Sequence, residues 1–185
     1  ANYENRKASG EAVRSSQSKF YWATSIPTDN HRHLSCESIH KQDVLEIGCA
    51  SGNDATEYAK FAKTYTGVDI SDVAISNAQK LELTNCKFYC VDGHKLPVAS
   101  NSMDFIIVNS LLHHLDLDNV FVEIARVLKD NGSLIFREPL GTNPLFQLYR
   151  LLTPSARTVD ERPFTFKDLH LMRSYFLFEN VRWFG

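Results

Sequence analysis

Five short apolar segments recur between helix-patterned stretches of this chain, at 43–49, 64–70, 87–92, 103–111 and 132–139. Each is the length of a strand and is rich in β-branched or aromatic residues. Between them, 53–63 spaces Ala55, Tyr58, Ala59 and Ala62 at helical intervals. Ser71 can cap a helix running to about 83, with Asp72 in its favourable first turn. The stretch 118–129 sets Val120, Phe121, Ile124, Val127 and Leu128 on one side, and Asn131–Gly132 reads as its stop. Strands that alternate with helices predict a doubly wound, mostly parallel α/β sheet with helices on both faces and right-handed crossovers. Such sheets bind ligands beyond the carboxyl ends of the strands, where strand order reverses. The residues to weigh are therefore 46–52, Asp69, Asp92, 109–114 and Glu138.

Length and composition fit one soluble domain: 185 residues, 43% hydrophobic and 23% charged. A net charge of −2 provides no broad basic surface and speaks against nucleic acid as a main partner. The longest apolar run, around 105–108, is far too short to cross a membrane, and no signal-peptide core precedes it. Cys36, Cys49, Cys86 and Cys90 form no Cys-x-x-Cys pair, so the expectation is free thiols in a reducing cytoplasm.

Residues 1–35 are polar around an aromatic knot, Phe20-Tyr21-Trp22, and read as an N-terminal helical cap on a domain spanning 36–185. Within that domain 140–164 reads as a lid or substrate insertion, with Leu145, Leu148, Tyr149 and Leu152 on one helical face and Arg150, Arg157 and Arg162 around it. Basic residues beside aromatics also suit contact with a membrane surface. Thr165 should open a helix, with Asp168 in the capping-box position. Residues 180–185 would begin a sixth strand.

The turn after the first strand carries the chemistry. A dinucleotide loop reads Gly-x-Gly-x-x-Gly; aligned on Gly48, this one gives Gly48, Ala50 and Asn53. Glu46 would also face a pyrophosphate, and two like charges at ~4 Å repel by about 4 kcal/mol at an effective dielectric of ~20. That disfavours NAD. S-adenosylmethionine has no phosphate, and its sulfonium and ammonium are attracted by a carboxylate. Asp69 ends the second strand, where an acid can accept both ribose hydroxyls. Because Ser71 is the better helix cap, Asp69 is spared that role. Asp92, in Asp92-Gly93-His94, ends the third strand, where it could accept from an adenine amino group.

Val44-Leu45-Glu46-Ile47-Gly48-Cys49-Ala50-Ser51-Gly52, Gly67-Val68-Asp69-Ile70-Ser71, Asp92-Gly93 before Leu96-Pro97, and Asp104-Phe105-Ile106-Ile107-Val108-Asn109 together resemble the successive motifs of class I S-adenosylmethionine-dependent methyltransferases. The small-molecule group that includes the quinone-biosynthesis enzymes is most similar. Arg126-Val127-Leu128-Lys129 with Gly132-Ser133-Leu134 resembles that family's turn before its fifth strand.

The resemblance implies a Rossmann-like fold, cofactor S-adenosyl-L-methionine, product S-adenosyl-L-homocysteine and a small-molecule acceptor. It implies that Gly48, Cys49, Ala50 and Gly52 approach the methionine part through backbone, while Glu46 holds its ammonium directly or through water. Asp69 would bind the ribose and Ile70 pack on adenine, with Asp92, Gly93 and His94 at the adenine edge. Asn109, Leu111 and His114 would border the methyl group. The family's last strand is antiparallel, and no sequence is left here to make it, so a longer native chain is expected.

Ala50 stands where the family has glycine, which narrows the backbone's approach or requires φ below zero. Catalytic candidates are His114, as a base, with His113 and Glu138; substrate candidates are Tyr21, Trp22, Tyr149, Arg150 and Arg157. Adjacent histidines diverge and no third ligand stands at useful spacing, so no metal is expected. The alternatives are a non-catalytic module that binds the same cofactor and, disfavoured by Glu46 and the missing glycines, an NAD-dependent oxidoreductase.

Overall fold

A computed structural model describes residues 32, 35–138, 151, 162 and 164–178. Its strands are β1 (Asp43–Ile47), β2 (Thr64–Asp69), β3 (Cys86–Cys90), β4 (Met103–Asn109) and β5 (Leu128–Arg137). They form one sheet in the order β3-β2-β1-β4-β5, and every neighbouring pair is parallel. The expected doubly wound sheet is therefore present, and among the described residues it has no antiparallel strand. The chain winds outward from β1 to β3, then returns to place β4 on the other side of β1. The switch point thus lies between the ends of β1 and β4.

Alternation along the strands divides the core. Leu45, Ile47, Val68, Ile106 and Val108 face helix α3 (Leu117–Val127), burying Val120, Phe121, Ile124 and Val127, with Met172 from α4 (Phe166–Met172) beyond them. Val44, Tyr65, Phe105 and Ile107 face the other way, against Ala55 and Tyr58 of α1 (Ala55–Tyr58) and Ile75 and Ala78 of α2 (Asp72–Gln79). Ser71 caps α2 by accepting from the Ala74 amide at 3.1 Å. Thr165 and Asp168 form the expected capping box of α4. The N-cap of α3 is Asp116, two residues before the anticipated start.

Two local expectations are corrected. The helix expected over 53–63 is regular only at Ala55–Tyr58; Lys60 and Phe61 then bond three residues back, in tighter turns. Its N-cap, Asp54, makes no side-chain cap, because its carboxylate is engaged by Arg32 at 2.9 Å. Asn131–Gly132 does not stop α3, which ends at Val127, where the chain extends directly into β5. Met103 pairs Leu128 and Phe105 pairs Ser133, so β4 advances two residues while β5 advances five. The surplus is a bulge, and it needs Gly132, whose Cβ would lie 2.7 Å from Leu128 Cδ1. The predicted turn is real but sits inside the strand.

Most of the N-terminal cap, most of the 140–164 insertion and the 180–185 strand lie outside the described residues. No described helix is long and apolar enough to cross a membrane.

Candidate active site

The turn leaving β1 is built on three left-handed residues: Gly48 (φ 81°), Ala50 (φ 47°) and Gly52 (φ 75°). Ala50 therefore does not take a negative φ, as its side chain would favour. Left-handed backbone costs such a residue roughly 1–2 kcal/mol. Tethers hold it there: the Gly48 and Cys49 amides both donate to the Val68 carbonyl, at 2.8 and 3.0 Å, and the Ala50 amide donates to Asp69 Oδ2 at 3.0 Å. Gly48 admits no side chain, since a Cβ would lie 2.9 Å from Leu111 Cδ2. The turn's glycines thus pack closely on Leu111, Leu81 and Ala78, and its backbone is anchored to the end of β2.

Asp69 braces both flanks of its strand end, taking the Ser71 amide on Oδ1 at 2.8 Å and Ala50 on Oδ2. Each carboxylate oxygen has two lone pairs, so capacity for ligand hydroxyls remains. Beside it Ile70 is 62% exposed, an apolar surface displayed at the ligand end of the sheet. At the end of β3, Asp92 Oδ1 accepts from the His94 amide at 2.9 Å and lies 2.5 Å from His94 Nδ1. The His94 amide is the main reason its carboxyl stays below the usual range. His94 Nε2 accepts from the Asp116 amide at 3.2 Å, so Nδ1 carries the proton and the ring ties β3 to the start of α3. Gly93 lies against Ile47, where a Cβ would stand 3.2 Å from Cγ2.

Beneath the turn, Glu46 is only 3% exposed. Burial drives its pKa up to about 8, although the Tyr65 hydroxyl donates to its carboxylate and Asn109 nearby also favours the charged form. The Cys49 side chain is buried against Gly67, and burial also raises its thiol, so this residue can meet a ligand through backbone alone.

On the other side of the switch point, Glu138 organises the segment after β4. Its Oε1 accepts from the Leu111 and Leu112 amides at 2.8 and 2.7 Å, and its Oε2 lies 2.6 Å from His113 Nδ1. Three donors occupy a carboxylate whose side chain is 2% exposed. The structure thus brings together Glu138, His113 and Leu111, with the His114 ring 4.2 Å from that of His113. Tyr21, Trp22, Tyr149, Arg150 and Arg157 lie outside the described residues.

Sequence reasoning missed Tyr58, Tyr65 and Arg137, which stand around Glu46 and Asn109 on one face of the sheet. The available signal was alternation: Arg137 is two residues past Ile135, on the face that packs α1. A groove of about 430 Å³ between the starts of β2 and β3 and the 97–99 loop contains none of the anticipated site residues.

Comparison with known proteins agrees with this geometry. Residues 45–136 match a family model described as a methyltransferase domain. The uncharacterized methyltransferase YcgJ of Bacillus subtilis is 30% identical over 131 residues, 65% of this chain and 51% of YcgJ. The YcgJ crystal structure superposes with a TM-score of 0.66 at 22% identity, covering 79% of this chain and 67% of that one. A ubiquinone biosynthesis O-methyltransferase of Coxiella burnetii is 33% identical over 104 residues, 54% of this chain and 44% of that protein. The crystal structure of the [4+2]-cyclase SpnF gives a TM-score of 0.62 at 25% identity, covering 80% of this chain and 57% of SpnF. The chain spans about half the length of the curated relatives it matches. From β1 to β5, strand order, the anchored glycine turn and the acids at successive strand ends agree with that match, and the chain belongs to the class I S-adenosylmethionine-dependent methyltransferases.

Proposed function

We propose that the protein transfers a methyl group from S-adenosylmethionine to a small-molecule acceptor. The observation that carries this reading is Asp69, which holds the Gly48–Gly52 turn by one oxygen and the start of α2 by the other. A ribose bound there meets a fixed acceptor, and the turn beside it is held in place by the Val68 carbonyl and Asp69. Ile70 and Gly93 provide apolar surface for a purine, and Asp92, kept ionised and oriented by His94, accepts from its amino group. Glu46 lies beneath the turn as partner for an ammonium, while Gly48, Cys49, Ala50 and Gly52 contribute backbone.

When bound, the cofactor supplies an electrophilic methyl group on a sulfonium. The chain's task is then to place a nucleophile in line and exclude water, which can suffice for a direct displacement. Asn109, Leu111 and His114 border that position, and His114 is the candidate proton acceptor. His113 and Glu138 act through position, holding the turn that carries these groups. The four cysteines are free, which fits a reducing, cytoplasmic setting. The 1–35 segment as a cap and 140–164 as a lid belong to the same reading, with Tyr21, Trp22, Tyr149, Arg150 and Arg157 toward the acceptor.

Calorimetric titration with S-adenosylmethionine, S-adenosylhomocysteine and NAD tests the cofactor. Saturable binding of the first two is expected; binding of NAD alone would overturn the reading. A second reading has one comparison in its favour: SpnF shares this fold and is a cyclase. Cofactor binding with no transfer of labelled methyl to any small-molecule acceptor in a metabolite extract would favour that alternative.

A further inference from the structure

We propose that Arg137, with Asn109 and Tyr58, forms the acceptor's anchoring subsite and selects a small molecule that carries a carboxylate. This deepens the methyltransferase reading above and rests on it. Asn109 ends β4, Arg137 ends β5, and the two are register partners on adjacent strands. Both lie on the sheet face that holds Glu46 and packs α1, where Tyr58 is fully buried. The ribose- and adenine-side acids, Asp69 and Asp92, end β2 and β3, on the opposite side of β1. Strand order therefore puts Asn109 next to the reacting position and Arg137 one strand further out, on the acceptor side.

Three buried polar atoms in this group lack a hydrogen-bond partner: the Tyr58 hydroxyl, Asn109 Oδ1 and Arg137 Nε. Burial pushes the Tyr58 hydroxyl's pKa up, and although Ser35 and Asn109 lie near it, neither completes a bond to it. Natural interiors satisfy nearly all such groups, so three together mark a place completed by something else. The charges agree. Asp54 is paired with Arg32 at 2.9 Å, and Glu138 is occupied by His113 and two amides. Burial holds Glu46 largely protonated at neutral pH. No described carboxylate makes an ion pair with Arg137, whose guanidinium is pressed by burial towards its neutral form. A guanidinium whose Nε is buried and unpartnered matches the two oxygens of a carboxylate. Asn109 Oδ1 can then accept from a hydroxyl or amine on the same molecule.

The test uses the full chain labelled with 15N-arginine and follows the Arg137 Nε–H signal, assigned by its loss in Arg137→Lys. Acetate is titrated against acetamide at constant ionic strength, with and without S-adenosylhomocysteine. A saturable shift with acetate and none with acetamide is expected. No shift, or the same shift with acetamide or with added chloride, overturns the proposal and leaves ordered water as the partner. Arg137→Gln should abolish any rise in melting temperature that acetate produces. The two readings fail separately. If S-adenosylhomocysteine binds and acetate leaves Arg137 unmoved, the anion subsite is wrong. If acetate moves Arg137 and the nucleoside does not bind, the subsite stands and the cofactor assignment falls.

Discussion

Replacing Glu46 with glutamine should make the protein's stability much less sensitive to pH. Glu46 is buried among apolar and aromatic side chains, and its pKa is raised to about 8, with burial as the leading cause. In the unfolded chain it titrates near 4.3. Between these values the folded state holds a proton that the unfolded state has lost, so stability falls as pH rises. The contribution is fully present below the unfolded value and is gone once pH passes through the folded one. Integrated from pH 5 to pH 9, the loss is about 4 kcal/mol, a large share of a typical domain's stability. Glutamine keeps an oxygen to accept from the Tyr65 hydroxyl, has nearly the same shape and does not titrate. Urea unfolding of both proteins at several pH values measures the difference, in which the other titrating groups largely cancel. The variant should gain on the wild type by about 4 kcal/mol across that range. A difference that stays flat within about 1 kcal/mol would show that Glu46 ionises as an ordinary surface acid and would remove the burial argument.

Cofactor binding near pH 7 should release up to roughly one proton, as an ammonium beside Glu46 favours its charged form; calorimetry in buffers of different ionisation enthalpy checks this, and the release should vanish in Glu46→Gln. Asp69→Ala should weaken cofactor binding by roughly 1.5–3 kcal/mol, seen by titration, and an unchanged affinity would mean the ribose lies elsewhere. Ala50→Gly relieves a left-handed alanine and should raise stability by up to about 1 kcal/mol without weakening the cofactor, whereas Gly48→Ala should do harm on both measures through Leu111. Glu138→Ala strands three donors and should cost about 3–5 kcal/mol on denaturant unfolding, with Glu138→Gln markedly milder because it still accepts from the Leu111 and Leu112 amides.

Strands were legible where both faces are covered, because a continuous apolar run such as Phe105–Val108 has few alternatives in a short segment. Ser71 and the Thr165–Asp168 pair could be read as caps because capping depends on neighbours three residues away. The β5 bulge could not, because Asn131–Gly132 signals a turn without saying whether a strand continues through it. Nor could the conformation of Ala50, which is imposed by Asp69 from 19 residues away. The acids proposed for the cofactor could be located one segment at a time, because each closes its own strand. The other half depends on adjacency across strands. Tyr58 and Tyr65 pass for ordinary core aromatics until β1 brings Glu46 between them, and Arg137 passes for a surface residue until β4 places Asn109 beside it.

The place of β1 in the sheet also has a kinetic consequence. Its pairing with β2 joins residues about 20 apart, as Asp43 with Thr64, whereas its pairing with β4 joins residues about 60 apart, as the bond from the Asp43 amide to Asp104 shows. Contacts at longer separation pay more loop-closure entropy and form later. The seam between β1 and β4 is thus the join between an early-forming β1–β2–β3 unit and a later β4–β5 unit. A molecule that lies across this seam would staple the two units and slow their separation. Native-state hydrogen exchange would reveal this as amides of β4 and β5 opening together, before those of β2, with the gap between the two sets closing when S-adenosylhomocysteine is bound.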